Sequence, residues 1–159
     1  EVGGGGLMHI AELNIAEPKY PLDDPRMAGF MDNLQMINGL AATMPGYVWM
    51  HKDDSGHAMH MPTPWPDAAA NLTVWESAEH LEHFVWNTVH KRFYNRKAEW
   101  FAAMKSHHFV MWNIEEGHRP TLQEAKERLD YLNEHGNSDH AFGWGHLPHV
   151  KLWQQARCG

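Results

Sequence analysis

Residues 8–16, Met-His-Ile-Ala-Glu-Leu-Asn-Ile-Ala, alternate apolar and polar positions with the period of a β-strand. After a loop through Pro18 and Pro21, Asp24-Pro25 marks a helix start, because Asp accepts from free N–H groups and Pro fits the first turn. Met27, Phe30, Met31, Leu34, Ile37, Leu40, Ala41 and Met44 then recur three and four apart, an apolar stripe that Pro45-Gly46 ends. Residues 47–52 read as a second strand, 53–67 as an aperiodic loop and 68–76 as a third strand. Ser77 caps a helical region reaching about Met104, with a break near 87–90. Residues 105–114 read as a fourth strand, with His108, Val110 and Trp112 on one side and His107, Phe109 and Met111 on the other. Thr121 and Glu124 form a capping box ahead of a helix over 121–135, striped by Leu122, Ala125, Leu129 and Leu132 and ended by Gly136.

That order is the α+β, ferredoxin-like βαββαβ plan: an antiparallel sheet with two helices on one face and, here, an extra C-terminal helix. The other sheet face is expected to show Trp49, Trp75, Trp112 and His108. A second copy packing sheet to sheet would bury it, making a homodimer. Residues 1–7 read as a flexible leader with Met8 as the natural start, 8–145 as one domain, and 146–159 as a tail.

Composition narrows the function. A chain of 159 residues with 43% apolar and 21% charged side chains supports one packed domain. The net charge of −7 and the lack of a Lys/Arg run argue against nucleic acid. No apolar run reaches the roughly 18 residues of a membrane span, and the only cysteine is Cys158, so a reducing, cytoplasmic setting is expected. The 14 His side chains, if all protonated, would turn −7 into +7, so surface charge responds steeply to pH.

Four groups could carry chemistry. His90 could abstract or relay a proton from a pocket wall, or simply cap a helix or bond a carbonyl in the core. Trp49, Trp75, Trp100 and Trp112 could line a pocket for a flat or apolar molecule, with Tyr47, His51 and His108 as polar groups; ordinary core packing is the alternative. His51, His57 and His60, with Asp53, Asp54 and Met59, could bind zinc or copper, but two or three His on a loop equally fit a solvated surface, as does the Glu79/His83 pair, and no metal is expected. Haem on His90 or His108 is a further alternative. No Gly-x-Ser-x-Gly elbow and no phosphate loop occur.

Several segments resemble a known family. They are His-Ile-Ala-Glu-Leu-Asn-Ile at 9–15, Pro-Leu-Asp-Asp-Pro-Arg-Met-Ala-Gly-Phe-Met-Asp-Asn-Leu at 21–34, Pro-Gly-Tyr-Val-Trp at 45–49 and Asn-Leu-Thr-Val-Trp-Glu-Ser at 71–77. Phe84-Val85, His90, Glu99-Trp100-Phe101 and Gly-His-Arg-Pro-Thr at 117–121 continue the match. Over residues 8–142 the chain resembles the uncharacterised bacterial family "domain of unknown function 3291", within the dimeric α/β-barrel, antibiotic biosynthesis monooxygenase-like superfamily. The resemblance implies the fold and a homodimer. It carries no catalytic set onto particular residues, and the loop at 51–61 and the tail after Phe142 depart from it. The superfamily's members point to a cofactor-free monooxygenase, isomerase or lyase/cyclase acting on a small apolar or aromatic molecule; the reading of the residues themselves makes His90 the catalytic group. A non-catalytic small-molecule or haem-binding protein is the alternative.

Overall fold

β1, Met8–Pro18, runs through the middle of an antiparallel sheet. β3, Ala69–Trp75, lies on one side of it, with β2, Tyr47–Met50, beyond. On the other side β1 pairs with two strands in turn: β5, Phe109–Glu115, along residues 8–14, and the short β4, Phe101–Ala102, along Glu17 and Pro18. α1, Ala28–Thr43, joins β1 to β2, and α2, Ala78–Asn87, follows β3. This is the ferredoxin-like arrangement expected, followed by α3, Leu122–His135. These elements belong to a computed structural model that describes residues 8–51, 64–65, 68–87, 91, 95–104 and 106–147. Among those residues no helix is long and apolar enough to cross a membrane.

Each element forms where its residues dictate. Asp24 accepts from the Arg26 amide at 2.8 Å, opening a 3₁₀ turn, Pro25–Met27, that feeds α1. The turn between α1 and β2 passes through Gly46 at φ +86°, a conformation that favours glycine. Ser77 accepts from the His80 amide at 3.2 Å and starts α2. Thr121 does the same for the Glu124 amide at 3.0 Å, and α3 stops at Gly136, φ +76°.

The sheet is buried on both faces. Ile10, Trp75 and Met111 pack under Ile37 and Ala41 of α1 and Ala78, Leu81 and Phe84 of α2. Leu13, Leu72, Val74, Val110 and Trp112 pack on the opposite face under Ala125, Leu129 and Leu132 of α3. Each fully buried Leu contributes about 1.5–3 kcal/mol of transfer free energy, so Leu129 and Leu132 are the main apolar anchors of that helix. The capping-box glutamate adds a polar tie: Trp112 Nε1 donates to Glu124 Oε2 at 2.9 Å, and His118 Nε2 lies 2.8 Å from Glu124 Oε1.

Four expectations change. The sheet face expected to await a second copy is covered by the chain's own α3. Trp75 is not on that face with Trp49 and Trp112; it lies on the other, beneath α1 and α2, because β3 is apolar on both sides and its alternation does not reveal which side faces which layer. The helical region expected to reach about Met104 ends earlier: Lys97–Glu99 forms a 3₁₀ turn, and the strand β4 follows at Phe101–Ala102. His107 and His108, expected within the fourth strand, precede β5 at the surface.

Candidate functional site

The strand register arranges the face beneath α1 and α2 into rungs that cross the sheet. In one rung Thr73 stands opposite Glu12, and Glu12 opposite Met111, which bridges to Phe142 beyond the sheet's edge. In the next rung Asn71 stands opposite Asn14, and Asn14 opposite Phe109. Neighbouring strands are about 4.8 Å apart, and successive rungs on one face roughly 7 Å apart.

Glu12 is the unusual residue. Its side chain is 4% exposed in the middle of the sheet, although carboxylates almost never lie so deep without a partner. Thr73 Oγ1 donates to Glu12 Oε2 at 2.7 Å, and Trp75 Nε1 donates to Thr73 Oγ1 at 3.0 Å. The threonine hydroxyl therefore accepts from the indole and donates its own hydrogen bond to the carboxyl group. Burial pushes the Glu12 pKa from 4.5 up to about 8, against the opposing pull of the Thr73 bond. Near pH 7 Glu12 is mainly the neutral acid, which can give a proton, in equilibrium with a smaller ionised fraction that can take one.

The second rung is more open. Asn14, Asn71 and Phe109 are half-buried. Neither asparagine makes a side-chain hydrogen bond with any described residue. Each carboxamide offers two N–H donors and a carbonyl acceptor. Two such groups side by side, one rung from a neutral carboxylic acid, can hold a ligand oxygen and leave the adjoining atom near the acid.

The expected site residues do not converge. Trp75 joins the rungs through its bond to Thr73; it stacks on Phe84 at 5.3 Å and meets Tyr47 edge-on at 5.7 Å. Burial raises the Tyr47 pKa. Trp49 and Trp112 belong to the opposite face. Trp100 is buried away from the rungs, where its ring lies 5.7 Å from Phe30 and beneath the Arg96 guanidinium at 4.7 Å. His108 lies at the surface, where desolvation and the nearby Lys97 charge lower its pKa. His90, the expected catalytic residue and one of the two haem-ligand candidates, is outside the described residues, as are His57 and His60. Among the described residues no three His, Cys, Asp or Glu side chains stand together as a metal site.

Glu12, Asn14, Asn71 and Thr73 went unremarked in the sequence. The available signal was the pair of polar residues two apart in β1, matched by another pair two apart in β3. In a sheet buried on both faces such polar positions cannot simply face water.

Comparison with curated proteins finds no match. Among solved structures, the chain is similar to a protein of unknown function (NE2512) from Nitrosomonas europaea, with 12% identity, TM-score 0.47, and 74% of this chain and 97% of that one covered. It is also similar to a conserved protein from Methanosarcina mazei Go1, with 11% identity, TM-score 0.48, and 68% and 92% covered. A third is SnoaB, a cofactor-independent oxygenase from Streptomyces nogalater, with 11% identity, TM-score 0.44, and 72% and 96% covered. Likeness at that level speaks to no residue and no reaction. The sequence profile described as "Domain of unknown function (DUF3291)" matches residues 9–158, running from β1 past α3 and beyond Phe142 into the tail. The sheet, its covering helices and the tail thus fall within a single match, and the chain belongs to the DUF3291 family.

Proposed function

We propose that this protein is a small-molecule enzyme that moves a proton at carbon next to a carbonyl group, with Glu12 as acid and base. The observation that carries this reading is the buried Glu12 carboxyl group, bonded to Thr73 and kept neutral to about pH 8. Perturbed acids of this kind concentrate at reaction sites. Asn14 and Asn71 donate to the substrate's carbonyl oxygen. The ionised fraction of Glu12 takes the α proton, the C–H electron pair moves toward that oxygen, and the neutral acid returns the proton to the same or another carbon. Many isomerase, lyase and cyclase reactions, and those cofactor-free oxygenations that pass through an enolate, begin with such a step, and it calls only on the chain's own groups. The substrate is a small apolar or aromatic carbonyl compound, since Met111, Phe109 and Trp75 line the rungs. A homodimer and residence in the cytoplasm belong to the same proposal, and light scattering on the purified chain tests the first.

The test uses 2-tetralone in deuterated buffer, with loss of the α-proton signals followed by NMR. Wild-type protein should accelerate exchange, increasingly so up to about pH 8, and Glu12→Gln should not. His90→Ala, run alongside, shows whether that imidazole shares the task. Exchange no faster than buffer with wild-type protein would overturn the reading.

A further inference from the structure

The segment after α3 brings an aromatic ring to the candidate site from the opposite layer of the molecule. Arg128 of α3 donates to the His140 carbonyl at 2.9 Å, tying the departing chain to the helix. The chain then passes the outer edge of β5, where the Met111 amide donates to the Phe142 carbonyl at 2.7 Å and the Phe142 amide returns a bond to Met111 at 3.0 Å. Phe142 is thereby fixed at the end of the Glu12 rung. Two residues on, Trp144 reaches the end of the Asn14 rung and stacks on Phe109, with ring centroids 5.4 Å apart and planes inclined by 18°. Across the sheet this rung reads Asn71, Asn14, Phe109, Trp144: two carboxamides with no described partner, then two stacked rings.

Both Phe109 and Trp144 are half-buried, so the stack is not sealed inside the core. Phe142, one rung away, is 2% exposed and serves packing. Aromatic pairs in offset-stacked or edge-on arrangements gain attraction beyond the area they bury, a gain that a saturated ring of the same size does not make. A flat ring whose oxygen meets the asparagines would extend along the rung to Phe109 and Trp144, a reach of about two strand spacings, close to 10 Å.

We propose that Trp144 is a specificity-determining residue that, with Phe109, selects planar aromatic carbonyl compounds over saturated ones of the same size. This rests on the rungs being the ligand-binding side, as argued above. The experiment compares binding of 2-tetralone and 2-decalone, two bicyclic ketones that differ in an aromatic ring, by isothermal titration. Wild-type protein should bind 2-tetralone at least tenfold more tightly. Trp144→Leu should lose most of that preference by weakening 2-tetralone alone, and Phe109→Leu should do the same, with the double variant losing little more. Asn71→Ala should weaken both ketones alike. Melting temperatures of each variant confirm that it is folded. A preference unchanged in Trp144→Leu, or an equal loss for both ketones, overturns this assignment while leaving the catalytic reading intact. Failure of wild-type protein to bind either ketone overturns both.

Discussion

Thr73 stands directly across from Glu12 on the neighbouring strand and donates its hydroxyl to the buried carboxyl group over 2.7 Å. Because Trp75 Nε1 in turn donates to that hydroxyl, the orientation of the Thr73 proton is set from both sides. A rotor with one acceptor and one donor in place has a single arrangement that satisfies all three groups.

The first prediction concerns pH. An unfolded Glu12 ionises near 4.5, whereas the folded one keeps its proton to about 8. Between those values the folded state holds a proton that the unfolded state has lost, so this group's contribution is fully present below 4.5 and falls as pH rises through 8. The loss is on the order of 5 kcal/mol across the window. Glu12→Gln removes the titration. Urea midpoints at pH 5 and pH 8.5 should fall more steeply for wild type than for the variant. Parallel changes in the two proteins would show that Glu12 titrates normally.

Thr73→Val removes the hydroxyl while keeping the shape. It leaves the Glu12 carboxyl and the Trp75 indole without that partner, at a cost of about 1–3 kcal/mol. Because the Thr73 bond lowers the Glu12 pKa, losing it pushes that pKa further above its ordinary range. Thr73→Ser should retain most of the stability. Chemical denaturation of the three proteins at pH 6 measures the first effect, and the pH dependence of their midpoints the second.

Gly46→Ala should be severe for two reasons. The backbone there has φ +86°, and an added Cβ would overlap the His80 imidazole. The conformation alone costs an alanine roughly 1–2 kcal/mol. Displacing His80 also breaks the 2.7 Å contact between Ser77 Oγ and His80 Nδ1 at the start of α2. Combining Gly46→Ala with His80→Gly, which removes the His80 Cβ as well as the ring that the added carbon would overlap, should recover the steric part and leave the backbone part, which a double-mutant cycle on melting temperature separates.

Glu124→Ala should loosen α3. Trp112 Nε1 would lose its acceptor at a fully buried ring, a penalty of about 1–3 kcal/mol, whereas Glu124→Gln keeps an acceptor oxygen and should cost less. Hydrogen exchange across residues 122–135 would report the difference. Equal protection in both variants would mean that the indole bond contributes nothing to holding the helix.

The periodic parts of the fold were legible in the sequence. The stripe from Met27 to Met44, the Thr121 cap and the stop at Gly136 each follow from local chemistry, and each stands where expected. Strand phase was not legible in β3, because Leu72, Val74 and Trp75 are apolar on both sides and a sheet covered on both faces removes the polar half of the alternation. β4 is two residues long and has no period to detect. The destination of the Glu124 carboxylate was hidden for a different reason. The capping-box pattern predicts a bond back to the cap, but the tertiary contact with Trp112 takes that carboxylate instead. Glu12 drew no attention in the sequence, because a polar residue in an alternating strand ordinarily faces water. Only the helices packed above it make its burial visible.

The paired amides and carbonyls of Met111 and Phe142 have a consequence for self-association. A strand at the margin of a sheet can template the addition of foreign chains, and proteins commonly blunt such margins. Here the margin beyond β5 is occupied midway along by the molecule's own backbone, so an incoming strand would find its run of free hydrogen-bonding groups interrupted at Met111. Fibril growth from that rim would first require peeling Phe142 out of the interior, which ties resistance to aggregation to the integrity of a single aromatic anchor.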